Sequence, residues 1–169
     1  ILLKRHTFGF QSQLGSPECT VEDGELRFAA RCKTRHECTH DHLFELPLGI
    51  GFEVEMDDAR IDLGYIDRDI GARFVTGSFT GTRLRSPRVV LAAELAEISV
   101  DFASAPESVQ IELQEGSVAL QVPAGSYHCE VASAAGEVTI TDIVCDDAAD
   151  AVLDVQVGSG DIVVSGAAP

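Results

Sequence analysis

The sequence predicts an all-β fold: a single-domain β-solenoid of about six coils over residues 49–169, with an atypical N-terminal capping segment over residues 1–48. Three observations predict it. The first is a repeat whose clearest copy is Gly158-Ser-Gly-Asp-Ile-Val-Val-Ser-Gly166. Weaker copies place an apolar anchor at Ile61, Phe79, Ile98, Val118, Val138 and Ile162, at separations of 18, 19, 20, 20 and 24 residues. A period near twenty is the mark of stacked units that each contact only their neighbours. The second is alternation within each unit. Val109, Ile111 and Leu113 alternate with Gln110 and Glu112, and Val118, Leu120 and Val122 with Ala119 and Gln121. Successive side chains of a strand point to opposite faces, so one set turns inward. The third is punctuation: Gln114-Glu-Gly-Ser117 and Pro123-Ala-Gly-Ser126 are turn sequences between strands.

In chain order, residues 1–48 lack the period and offer short apolar stretches at Ile1-Leu-Leu3, Leu26-Arg-Phe28 and Leu43-Phe-Glu-Leu-Pro-Leu48. A solenoid needs atypical terminal units to cover its open core, which suits a cap. Each later unit has a strand ahead of its anchor, as in Phe52-Glu-Val-Glu-Met56, Tyr127-His-Cys-Glu-Val131 and Leu153-Asp-Val-Gln-Val157. No single unit buries its apolar face alone; stacking encloses a continuous core. An antiparallel β-sandwich is the competing architecture, and the near-constant spacing argues against it. The repeat spacing places Val118, Val138 and Ile162 above one another in neighbouring coils, facing inward. Val138→Asp is then expected to be severely destabilising, because it would bury an unpaired charge.

The formal net charge is −16, with 12 basic and 28 acidic residues. All 12 bases lie at or before Arg88, while the acids divide 14 and 14 about that point. Residues 1–88 therefore carry about −2, and residues 89–169 carry −14. A surface this acidic repels nucleic acid and anionic lipid, so neither is an expected partner. Outward acids also keep a β-rich surface soluble and its edges apart, which is the plainer reading. The chain begins at Ile1 and holds no apolar run long enough to span a membrane, so a signal or anchor segment is expected outside it.

Five cysteines form two groups. Cys129 and Cys145 stand sixteen residues apart, slightly less than one coil, a spacing that brings neighbouring coils together. In an oxidising compartment they are the first candidates for a disulfide; two buried thiols are the alternative. Cys19, Cys32 and Cys38 allow one further bridge and leave one thiol over. The segment from Cys32 to His42 also holds His36, Cys38, His40 and His42, a candidate zinc set by residue type. The usual short Cys-x-x-Cys spacing is absent, and solvated polar residues on a cap loop are the plainer reading. Asp57-Asp58, Asp67-x-Asp69 and Asp146-Asp147-x-x-Asp150 are read as solvated turns ahead of calcium sites. There is no nucleophile-elbow pattern and no phosphate-binding Gly-x4-Gly-Lys loop. No cofactor and no catalytic residues are expected.

Tyr127 with the preceding Val122-Pro-Ala-Gly, then Gly136-Glu-Val-Thr-Ile, Asp146-Asp-Ala-Ala and Val155-Gln-Val-Gly-Ser-Gly-Asp-Ile-Val-Val, resemble the bacterial β-strand-repeat adhesin-like family. That family is related to the head domains called GIN and is largely of unknown function. The resemblance spans roughly residues 45–169 and is strongest after residue 105. It implies an extracytoplasmic β-solenoid of the cell envelope and implies no catalytic residue. The expected function is a non-catalytic surface or envelope scaffold, adhesin-like, with an unknown protein or surface partner and with self-association open to it. The alternative is a metal- or glycan-dependent enzyme that uses carboxylates on the solenoid surface. The chain has few aromatics to stack a sugar: no Trp, and only Tyr65 and Tyr127 as tyrosines.

Overall fold

A computed structural model describes residues 2–6, 18–22, 25–29, 41–45 and 48–167. Every regular element among them is a strand. The chain forms two compact units, Ile1–Ile50 and Gly51–Pro169. In the first, β1 (Leu2–His6) pairs antiparallel with β4 (Asp41–Glu45), and β2 (Glu18–Glu22) pairs antiparallel with β3 (Glu25–Ala29). Both ladders among the described residues of this unit are antiparallel.

The second unit is a β-solenoid of about six turns in which every ladder is parallel. Four long strands are whole coils: β5 (Phe52–Gly64), β6 (Ile70–Leu84), β7 (Arg88–Phe102) and β8 (Ser108–Pro123). Each bends once. Pairing runs from Met56↔Phe74 to Asp58↔Thr76 and from Ala93↔Leu113 to Leu95↔Glu115, skipping Asp57, Val75, Glu94 and Gln114. The register offset is the same on both sides of the break, so every rung interrupts its ladder at the same place, and each coil becomes two arms with a corner between them.

Just beyond the corner the rungs approach closely. Gly116 has φ of 137°, and a Cβ there would lie 1.8 Å from the Ala96 carbonyl oxygen. Gly160, one rung further, has φ of 133° and would meet the Gly116 oxygen at 1.6 Å. Only glycine adopts this backbone without strain and leaves room for the neighbouring rung. This is why the Gly-Ser-Gly-Asp copy is the sharpest signal in the sequence.

The predicted inward set is the observed core. Val109, Ile111, Val118, Leu120 and Val122 are buried, as are Leu153, Val155, Ile162 and Val164. Burying each such side chain contributes about 1.5–3 kcal/mol relative to exposure. Ser86 is the buried polar residue among the described ones, and its hydroxyl donates to the Ile66 carbonyl at 3.2 Å.

The anchors form one column through the stack, in the order Ile61, Phe79, Ile98, Val118, Ile162, Val138. The final two are exchanged relative to the sequence. The fifth coil in the chain is β9 (Ser126–Ser133) with β10 (Val138–Thr141), and the sixth is β12 (Val152–Ser159) with β13 (Ile162–Ala167). The sixth lies between the fourth and the fifth: β12 pairs with both β8 and β9, and β13 with both β8 and β10. β11 (Val144–Cys145) pairs with β9 on the side away from β12 and is the outermost rung.

Chain order therefore departs from stacking order at the C-terminal end, and Val138 is not a core residue. It is 37% exposed, whereas Ile162 beneath it is 0% exposed. The physical route is short. Three chain steps from Pro123 to Ser126 reach about 10–11 Å, and two rung spacings are about 9.5 Å. The chain strides over one vacant rung, and its own last coil fills that rung.

Candidate functional site

Cys129 on β9 and Cys145 on β11 are joined by a disulfide, with Cα atoms 5.4 Å apart. Cys129 points inward from the last full rung and is half-buried; Cys145 is exposed. The bridge fastens the outermost rung to the one below it. Beside it, Tyr127 is buried and its hydroxyl donates to the Pro123 carbonyl at 2.8 Å. Burial pushes the phenol pKa up. That hydrogen bond ties the start of β9 to the stride over the vacant rung.

His128 Nε2 lies 3.1 Å from Glu130 Oε1 on the outward face of β9. The hydrogen bond to Glu130 raises the His128 pKa, with Asp147 reinforcing the effect and partial desolvation opposing it. Sequence reading did not single out this pair. Its only trace was the alternation that sets His128 and Glu130 on one face.

The other predicted residues fall apart or fall outside. Cys32, His36, Cys38 and His40 lie outside the described residues. Cys19 sits on β2 opposite Phe28, and His42 on β4 opposite Arg5. Among the described residues no three His, Cys, Asp or Glu side chains are grouped to hold a metal ion. Of the calcium candidates, Asp58 accepts from the Thr76 hydroxyl, Asp69 from Arg88 at 2.8 Å and Asp146 from the Ala148 amide at 2.9 Å.

The corner rows enclose a shallow groove of about 880 Å³ across the stacked coils. Along one rim Glu55, Arg73, Ala92, Glu112, Gln156 and Ala132 succeed one another in register. Phe74, Ala93, Leu113 and Val157 are buried beneath it. The sequence did not reveal this groove, because it arises from the kink in every rung and not from any one segment.

None of the protein-family models, curated proteins or solved structures compared with the chain matches it. Fold and site are read from the residues themselves.

Proposed function

We propose that this chain is a non-catalytic, extracytoplasmic β-solenoid that serves as a cell-surface or envelope scaffold, adhesin-like in kind. The observation that carries the reading is the continuous aliphatic core through the stacked coils, which makes a stiff body out of short repeats. Outward positions vary from rung to rung while inward ones repeat, the division of labour expected where shape and surface do the work. The Cys129–Cys145 bridge is weak support for an oxidising compartment. The resemblance of the C-terminal repeats to adhesin-like envelope proteins agrees with it. The acidic second half disfavours nucleic acid and anionic lipid as partners.

The rival reading, a glycan- or metal-dependent enzyme, draws on the carboxylates Glu55, Asp57, Glu94 and Glu112 along the corner groove. One experiment separates the two. Beads coated with the oxidised chain are drawn under flow across immobilised bacterial cells, mucin and collagen, and the same protein is incubated with a panel of polysaccharides. The scaffold reading expects retention above beads carrying the unfolded chain, with no reducing ends released. Release of reducing ends that is lost in Glu112→Gln overturns it.

A further inference from the structure

Among the described residues, the β10 arm of the last full rung has a ladder neighbour on one side only. β10 ladders with β13 from Val138↔Ile162 to Thr141↔Ser165 and has no second ladder partner among the described residues. In a parallel ladder a residue's N–H and C=O point to one side, and successive residues alternate. The Glu137 carbonyl accepts from the Ile162 amide at 2.8 Å. Glu137, Thr139 and Thr141 therefore address β13, while Val138 and Ile140 direct their backbone groups outward. The core-facing side chains above this edge are open as well. Val138 and Ile140 are each 37% exposed, whereas Ile162 and Val164, one rung below in the same columns, are fully buried. An edge of this kind is a template for another strand.

Charge selects the occupant. Glu137 and Asp142 bracket β10, Asp146 and Asp147 follow β11, and no Lys or Arg occurs after Arg88. A second copy meeting the first through this edge would set these carboxylates against their own equivalents. A basic strand would meet them with opposite charge. The disulfide fixes β11 over the first two residues of β9, Ser126 and Tyr127, so β11 takes up the start of that arm while β10 has no second ladder partner along its length among the described residues.

We propose that β10 is a docking edge for a short, extended, basic segment of a partner protein. The segment adds one further rung. Its backbone bonds to Val138 and Ile140, its β-branched side chains cover Val138 and Ile140, and its lysines or arginines face Glu137, Asp142, Asp146 and Asp147. This inference does not depend on where the protein is displayed and can fail or hold independently of the scaffold reading.

The test uses the oxidised full chain and three synthetic peptides. The first alternates valine and threonine with two lysines at each end. The second replaces the lysines by glutamates. The third keeps the lysines but carries N-methyl groups at alternate backbone positions. The lysine peptide is expected to slow hydrogen exchange at the Val138 and Ile140 amides and to bind about tenfold or more tighter than either control. Its affinity should fall as salt rises. Glu137→Lys should weaken the lysine peptide and strengthen the glutamate peptide without altering the fold. Four results overturn the proposal. They are no binding of the lysine peptide at low salt, equal binding of the lysine and glutamate peptides, undiminished binding of the N-methylated peptide, and protection of Val138 and Ile140 by self-association without peptide.

Discussion

Residues 52–123 and residues 126–167 are built from the same unit and stack differently. In the first region β5, β6, β7 and β8 follow one another in space as they do in the chain. In the second the final coil is laid beneath its predecessor, and the fifth coil becomes the end of the stack. Both regions keep the period, the alternation and the anchor column. The comparison teaches that period and alternation decide which side chains face inward, while connection length decides which coil is next. Any parallel rung offers the same backbone pattern to its neighbour, so exchanging two rungs costs nothing in the ladder itself. Burial then falls unequally on equivalent positions: Ile162 is enclosed on both sides, and Val138 on one.

The sharpest way to break the comparison is to put the same charge at both positions. Ile162→Asp should abolish folding or cost more than about 4 kcal/mol, because the carboxylate has neither water nor a partner. Val138→Asp should cost about 1–2 kcal/mol, since its side chain reaches solvent at the end of the column. Equilibrium denaturation of the two variants decides the order of coils. Equal and severe losses would restore chain order as stacking order.

The disulfide comes next in size. Closing a sixteen-residue separation should stabilise by about 3 kcal/mol in the chain-entropy account. Cys145→Ser should lower the melting temperature and raise hydrogen exchange in β9, β10 and β11 while leaving β5 to β7 protected. Thiol titration of the unfolded, unreduced protein should find fewer than its five cysteines free.

A pair of glycines tests the close approach of rungs. Gly116→Ala should cost about 1–3 kcal/mol, because φ is positive and the neighbouring carbonyl occupies the Cβ position. Gly71→Ala, whose added Cβ would meet only Glu53 Cγ at 3.6 Å, should be close to neutral. Matching losses at the two sites would mean that the corner spacing is wrong.

The smallest effect is electrostatic. The His128 pKa is raised above its ordinary value by Glu130, so the protonated ring favours the folded state. That contribution is complete below the unfolded histidine pKa and is lost as pH rises through the raised value. Glu130→Gln should lower the His128 pKa in an NMR titration and flatten this part of the stability profile. An unchanged titration would separate the two side chains in solution.

Much of the fold was legible because solenoid physics is local. Leu91, Ile111 and Val155 announce their inward direction by alternation, and Gly158-Ser-Gly160 announces the corner by the chemistry of glycine. The disulfide pair was legible from spacing, since a separation near one coil places two residues on adjacent rungs. The exchange of the last two coils left one trace, the rise in anchor separation from 20 to 24 residues between Val138 and Ile162. The added residues belong to the crossing at Asp146–Ala151, which carries the chain from the outermost rung, β11, past β9 to β12 beneath it. The corner groove left no trace, because no single rung contains it.

The sequence by itself determined the unit: two alternating apolar stretches, a glycine-bearing break between them that reads as a turn and is a corner within one strand, an inward row of Val, Ile and Leu, and an acidic second half without bases. These follow from backbone geometry and side-chain transfer energies, which act within a coil. Only the tertiary structure decided the order of the rungs, and with it which equivalent residues are buried, which edge remains open and what the acids surround. Those depend on contacts between coils distant in the chain, where alternative neighbours present the same hydrogen-bonding groups and only the length of a connection tells them apart.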